Sequence, residues 1–485
     1  MARPPPLACR VSRPVAAAGA ADPARAARHR GVGACGGRHP HACRGRAAVT
    51  ETRRAEERRG KRRGEDHMDS RGRGTAAVET AAGRPAGERA TTDWRVVVTC
   101  TAIMIVEGYD LLLFSNAIPA LIADEPLGVD RAGAGTIGSM AFLGMLLGGV
   151  FAGAVSRRLG TASTVFTGII GFTLATAAVA LAGSGVQIGV LRLVAGAFLG
   201  LVLPAALSAA RRATADGDGS MTITLVMSGI AIGAVVSTLT AQWVLGIGGW
   251  RTLFLAGGIV GLLLLALTAP ALRRMPREPR GPAGSGTLRE LLVRGRRGML
   301  LLGIATTFVD LLTWYGVSTW LTQLMRDFDL PMDSALQLML TLNIGAVVGS
   351  IGAAMLARRW GSRLVAALAG VLAAGSLLLI AGRIGPAWLT TIAAALLGVG
   401  AITAQNLAND LVADAFPARL RTTALGMTLG LGRIGAVAAP ILGGQILAAG
   451  LGPARVLESF AAAALLGSLL ALAFTDARRA RGRAS

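Results

Sequence analysis

From residue 95 onward, apolar runs of about 20 residues, each long enough to cross roughly 30 Å of hydrocarbon, recur between polar breaks. The pattern predicts twelve helical spans, at about 96–122, 132–155, 162–183, 187–210, 221–245, 251–270, 298–325, 336–357, 363–383, 386–413, 420–447 and 454–475. Gly and Ala crowd many of them. That suits close helix packing in lipid, where small residues let backbones approach. The breaks alternate in charge. One set holds Arg157 and Arg158, Arg211 and Arg212, the arginine-rich stretch 271–297, Arg358, Arg359 and Arg363, Arg419 and Arg421, and the tail "ARRARGRAS". The other holds Asp124, Glu125 and Asp130, the uncharged "GSGVQ", and Asp327, Asp329 and Asp333. The positive-inside rule assigns the basic set and both termini to the cytoplasm. The expected location is the inner cell membrane, crossed many times.

The long basic break after the sixth span divides the twelve into six and six. The halves echo each other. Span 1 reads "DLLLFS" from Asp110 and span 7 reads "DLLTWY" from Asp310. The break after span 2 reads "SRRLGT" (156–161), and the one after span 8 reads "ARRWGS" (357–362). The predicted class is an all-α polytopic membrane protein whose twelve transmembrane helices form two six-helix pseudo-repeats. The expected segments are a low-complexity basic stretch 1–94, a first half 95–270, a cytoplasmic linker 271–297, a second half 298–475 and a cytoplasmic tail 476–485. Such duplication is the architecture of a transporter whose halves rock about a central site.

Composition supports this. The chain is 53% hydrophobic and 16% charged, where a soluble domain is about a quarter charged. The net charge of +22 first suggests a polyanion, but arginine placed by topology accounts for it without nucleic acid. Residues 1–67 hold sixteen Lys/Arg against six Asp/Glu, all four histidines and three of the four cysteines. They show no apolar periodicity and no secretory core, so they read as a disordered or untranslated segment, with Met68 as an alternative start. The rival reading is a basic tail for anionic lipid or nucleic acid. Cys35, His39, His41 and Cys43 lack a CxxC pair and make a weak zinc signal. No cofactor or metal is expected, and no disulfide framework.

The informative residues are charges inside spans. A carboxylate at the centre of a membrane helix costs roughly 2.5–3.5 kcal/mol on insertion scales, yet span 1 carries two, Glu107 and Asp110. Glu107 lies about eleven residues in, or roughly 16 Å deep. The two acids are three apart and share a face. Two such carboxylates do not both ionise easily in low dielectric, so they lead as proton carriers, against the alternative of a structural pair. Arg192 in span 4 offers a fork matched to a carboxylate. It is read as Asp110's resting partner that yields to an anionic substrate, as a permanent partner, or as a snorkelling residue. Arg433, mid-depth in span 11, is a second candidate for a substrate carboxylate. Asp310 is a second proton site or the counter-ion of Arg433. Trp314 and Tyr315 follow it and would suit a substrate ring, whereas Trp320 reads as an interface anchor. "AQNLANDLVAD" (404–414) puts Asn406 and Asp410 on one face, beside Gln405 and Asn409. Gln405 and Asn406 are substrate candidates. Asp410 and Asp414 are gating candidates with Arg419 or Arg421. Asn343 and Gln242 read as helix–helix glue.

Two sixes, a long central basic loop and a short basic loop after spans 2 and 8 resemble the major facilitator superfamily, over about residues 95–475. Within it, "EGYD" is similar to the DGxD motif of the aromatic acid:proton symporters. "RLVAGAFLGLVLPAAL" (192–207), "YGVSTWLTQLM" (315–325) and "FPARLRTTALGMTLGLGRIGAVAAPILGG" (416–444) resemble that branch's helices 4, 7 and 11. The superfamily's loop 2–3 motif is altered. Gly153 and Gly160 remain, but Arg157 stands at the acid position, and Thr161 and Ala162 replace a basic pair. Arg157 and Arg158 are therefore gating candidates with a changed latch. The resemblance implies a transporter, not an enzyme: a monomer coupling proton flow to uptake of a small organic anion, an aromatic carboxylate first. The alternatives are a drug or metabolite exporter that antiports protons, and a non-transporting sensor. A membrane enzyme would want histidine, and there is none in the spans.

Overall fold

The computed structural model describes residues 92–214, 219–272, 288–293 and 296–474. The expectations for residues 1–91 (Met68 and the Cys/His cluster included), for 273–287 within the linker, and for the tail 475–485 concern residues outside that set. So does the Arg419 side chain.

The described residues are helical, without strands. α1 (Trp94–Ala123), α2 (Arg131–Leu159), α3 (Thr161–Val179) and α4 (Gly185–Arg212) match the first four predicted spans. The next helical stretch, Gly219–Leu272, contains one residue with non-helical backbone, Gly249 at φ 69° and ψ −162°. A side chain rarely tolerates that conformation and glycine does. The stretch therefore turns back there and forms two spans, α5 before Gly249 and α6 after it. A single turn, Leu288–Leu291, precedes α7 (Arg297–Asp327). Then follow α8 (Met332–Trp360), α9 (Ser362–Ala381), α10 (Ala387–Ala415), α11 (Ala418–Ala448) and α12 (Pro453–Ala473). Eleven continuous apolar stretches, one of them crossing twice, give the twelve expected spans.

Four tryptophans mark the edges of the slab. Trp94 and Trp360 are exposed at the basic ends of α1 and α8, and Trp243 and Trp388 at the acidic ends of α5 and α10. Indole favours the headgroup level. Trp320 does not belong to this group. It is fully buried, and its indole N–H donates to the Pro440 carbonyl of α11 at 3.0 Å. The interface role expected for it is corrected: a tryptophan enters the core where its N–H finds an acceptor.

Within each half, helices pair by close backbone approach. In the first half, a Cβ added at Gly144 or Gly148 of α2 would lie 2.2 or 2.0 Å from a carbonyl of α4, and one at Gly196 would lie 2.0 Å from the Ala141 carbonyl. The second half repeats this. A Cβ at Gly345 of α8 would meet the Ala395 carbonyl at 2.1 Å, and one at Gly398 would meet the Leu342 carbonyl at 2.0 Å. The glycines that end α2 and α8 also match, Gly160 at φ 87° and Gly361 at φ 86°. This is the pseudo-repeat in three dimensions.

At the acidic side the halves meet tightly. The Ser139 hydroxyl donates to the Val437 carbonyl at 2.7 Å, and Arg131 pairs with Asp327 at 2.8 Å. Gln323 also donates to Asp327. Asp124 accepts from the Trp250 indole at 2.8 Å and from Arg251 at 3.0 Å, joining α1 to α6. The indole bond first, then Arg251, hold the Asp124 carboxyl below the usual aspartate value. Toward the basic side the polar edge of α10 is exposed at Asn406, Asp410 and Asp414, and nothing lies near the Gly426 and Gly430 positions of α11. The halves are thus joined at the acidic side, and the polar edge of α10 is exposed toward the basic side.

Gly148→Val is expected to abolish recovery of folded, monodisperse protein, while Gly430→Val leaves it intact, as read by size-exclusion chromatography in detergent. Equal behaviour of the two would contradict the packing account. Asp124→Ala is expected to lower the melting temperature at neutral pH. Because the folded carboxyl titrates below its ordinary value, its contribution is present above that value and is lost as the pH falls below it. The gap to wild type should therefore close in acid; a gap independent of pH would argue against the assignment.

Candidate functional site

The acids of α1 separate in role although they share a face. Asp110 is 2% exposed and Arg192 is 2% exposed. Arg192 Nη1 reaches Asp110 Oδ2 at 3.0 Å and the Asp110 carbonyl at 3.4 Å. The Thr176 hydroxyl of α3 donates to Asp110 Oδ1 at 2.5 Å. The guanidinium also lies 5.3 Å from the centre of the Phe114 ring, a cation–π distance. Two helices, α3 and α4, thus satisfy one carboxylate of α1. Of the readings open for Arg192, pairing with Asp110 is what the structure has; the side chain does not snorkel.

Glu107 has no such support. It is 1% exposed, and neither carboxyl oxygen has a hydrogen-bond partner among the described residues. Arg433 of α11, half-buried, acts on it electrostatically without a direct ion pair. Arg433 acts in the same way on Tyr315 of α7. Tyr315 packs on Phe142 of α2, with ring centres 4.5 Å apart and planes at 53°. Glu107 and Phe142 come from the first half, Arg433 and Tyr315 from the second. An acid, a cation and a ring pair therefore converge where the halves face each other. Phe142 went unnoticed in the sequence because an apolar residue in an apolar span carries no signal of its own. Thr176 was missed for a similar reason.

Asp310 is buried and lies against α12, where a Cβ on Gly467 would stand 2.6 Å from its Oδ1. It makes no ion pair with Arg433 in this state. The repeat explains the difference from Asp110. The register that matches Gly196 with Gly398 sets Ala394 opposite Arg192, so the second half has no guanidinium to offer Asp310. Trp314 packs, partly buried, against the apolar core.

Other expected residues take different partners. Gln405 is buried with its carbonyl oxygen unpaired, and Asn406 is exposed, 3.5 Å from the Ser350 hydroxyl. Arg421 donates to the Ala413 carbonyl at 2.7 Å and forms no ion pair with Asp410 or Asp414, so the expected carboxylate contact is absent from this state. Arg157 and Arg158 are exposed and unpaired among the described residues. The link between halves that the altered basic loop lacks is found instead at the acidic side, at Arg131–Asp327. Asn343 donates to Met339 of its own helix and does not join two helices by that bond. Among the described residues no group of side chains could hold a metal.

The Major Facilitator Superfamily model matches residues 100–440, and the chain belongs to that superfamily, a family of transporters and not of enzymes. It is a multi-pass membrane protein. The chain is 35% identical to the gentisate transporter of Corynebacterium glutamicum over 76% of this chain and 84% of that protein. It is 27% identical to the gallate transporter of Pseudomonas putida, over 80% and 93%, and 26% identical to the benzoate transport protein of Acinetobacter baylyi, over 73% and 83%. Among solved structures it is similar to a D-xylose–proton symporter, with TM-score 0.65 at 16% identity, over 80% of this chain and 98% of that one. That likeness shows the fold alone.

Removing one partner of a buried ion pair leaves the other uncompensated and costs about 3–5 kcal/mol. Arg192→Leu is therefore expected to lower the melting temperature sharply. The double variant Asp110→Asn with Arg192→Leu should recover part of the loss. No recovery would mean that the two residues are not coupled.

Proposed function

We propose that this chain imports a small aromatic carboxylate across the cell membrane together with protons, by alternating access, as a monomer with both termini in the cytoplasm. The observation that carries the reading is Glu107 opposite Arg433 beside the Phe142–Tyr315 pair, with each half supplying one charge and one ring. The names of the relatives, transporters of gentisate, gallate and benzoate, support the substrate class.

The chemistry follows from competition. Arg433 offers a planar fork to a carboxylate. When Glu107 is ionised it is the nearest rival for that fork. When Glu107 carries a proton, Arg433 is free for the substrate carboxylate, and the rings of Phe142 and Tyr315 give its ring an offset or edge-on surface. Proton and substrate then favour the same state, and a ligand shifts an equilibrium only by such differential binding. Asp310 serves as a second proton site. Asp110–Arg192 braces the first half and is the pair that an anion could open. Gln405, Asn406 and Trp314 contribute contacts from α10 and α7. Asp410, Arg421, Arg157 and Arg158 line the basic-side gate and exchange partners when that side closes.

Proteoliposomes holding the full chain should accumulate labelled benzoate and hydroxybenzoate under an inward proton gradient, and an uncoupler should abolish the accumulation. Folded protein that takes up neither acid would overturn the reading; efflux driven by inward protons would turn it to export. Glu107→Gln is expected to lose uphill accumulation but keep substrate exchange across the membrane. Proton-driven accumulation in that variant would sink the coupling role. Arg433→Gln should raise KM about tenfold or more, as loss of a charge-assisted contact of about 1.4 kcal/mol or greater requires.

A further inference from the structure

A cavity of about 690 Å³ lies at the acidic-side ends of α7, α8, α9 and α10, apart from the Glu107–Arg433 site. Its size falls in the range of small-molecule pockets. Phe328, Leu338 and Ile380 give it apolar walls, and Gln337 and Thr390 give it hydrogen-bonding groups. Arg383 is the only charged residue that lines it. The guanidinium stands 5.6 Å from the centre of the Phe328 ring. Arg383 has no hydrogen bond from its side chain and no carboxylate partner among the described residues. It is one of two non-glycine residues there with positive φ, at 50°, so the connection between α9 and α10 holds it in an uncommon backbone conformation.

A comparison with the first half bears on the same point. There, the acidic-side ends of α2 and α4 are capped by side chains: Asp130 accepts from the Gly133 amide and Ser184 from the Gln187 amide. The corresponding ends of α8 and α10 begin at Pro331 and Pro386, neither of which has a side chain able to cap. Both ends border the cavity, through Ser334 and Ala387. The first amides of α10 carry the positive end of its helix dipole with no acid in the first turn, whereas Asp333 stands in the first turn of α8 and offsets the dipole there. The cavity therefore joins an exposed guanidinium without a carboxylate partner, and the N-terminus of α10, to an apolar wall.

We propose that this cavity is a second binding site, for a small amphipathic anion whose acidic group meets Arg383 and whose apolar body lies against Phe328, Leu338 and Ile380. The anion has two possible sources: a free aromatic carboxylate from the acidic-side solution, or an anionic lipid from the adjoining leaflet. Neither source requires the central site.

The test uses the full chain in nanodiscs. In phosphatidylcholine alone, equilibrium binding of labelled benzoate should show two sites per chain, falling to one in Arg383→Gln and to one in Arg433→Gln. In discs containing phosphatidylglycerol, native mass spectrometry should count retained phosphatidylglycerol in wild type and in Arg383→Gln. Loss of one benzoate site identifies the free acid. An unchanged benzoate count with loss of one retained phosphatidylglycerol identifies the lipid. Thr390→Trp, which fills the cavity without touching the charge, should reproduce whichever loss is seen. If neither count responds to Arg383→Gln or to Thr390→Trp, the site does not exist. Absence of all benzoate binding in wild type would instead count against the central aromatic-acid reading, and the phosphatidylglycerol arm would still decide this one.

Discussion

A charge in hydrocarbon must be matched, neutralised or reached by water, and five of the charged side chains in the spans, Glu107, Asp110, Arg192, Asp310 and Arg433, show how. Asp110 and Arg192 are matched: one guanidinium and one threonine hydroxyl satisfy the carboxylate at 3.0 and 2.5 Å. Glu107 and Arg433 belong to different halves and interact electrostatically without an ion pair. Asp310 is buried against a glycine of α12 with no cation at all. The three solutions differ in what they hold constant. The first is internal to one half and survives any rigid rocking. The second depends on how the halves sit, so its energy changes when they move. The third depends on local packing. A device that reads conformation through charge has to be built from the second kind.

The glycine contacts make that distinction sharp. Backbone-to-backbone approach between α2 and α4, and again between α8 and α10, leaves no side-chain layer that could yield. Each half therefore behaves as a solid body, since tightly packed interiors transmit strain and do not absorb it. Between halves the contacts are fewer and concentrated at the acidic side, in the Ser139–Val437 bond, the Arg131–Asp327 pair and the approach of Gly135 to Pro440. The repeat is nearly exact in backbone and broken in chemistry. Ala394 stands where Arg192 would be, and Thr307 stands where Glu107 would be, by the spacing that relates Asp110 to Asp310. The two halves share a frame, but Glu107 stands on one and Arg433 on the other.

Much of the fold was legible in the amino-acid sequence because span length and loop charge are set by the bilayer and do not depend on neighbours. The boundary between the fifth and sixth spans was also readable, as the break between 245 and 251 in which Gly249 turns the chain. Partnerships were harder. Asp110 with Arg192 was foreseeable, since a buried carboxylate and a buried guanidinium seek each other. Asp310 with Arg433 was equally reasonable by chemistry, but the two are not paired in this state. Trp320 could not be told from an interface tryptophan until Pro440 was seen to accept its N–H. Phe142 and Thr176 gain their significance wholly from Tyr315 and Asp110, which lie on other helices. The Arg131–Asp327 link joins residues far apart in the chain, each in an ordinary polar loop.

The single-residue turn at Gly249 has a consequence for biosynthesis. Consecutive Cα atoms are only about 3.8 Å apart, so the acidic-side ends of α5 and α6 cannot separate, and no loop exists to be threaded across the bilayer ahead of the second crossing. The folded geometry suits insertion of the two helices as one hairpin. An apolar pair that partitions together does so on its summed hydrophobicity. A polar substitution in either leg would then be tolerated by the insertion step as long as the other leg stayed apolar, and a residue at 249 that opened the turn would remove that tolerance from both.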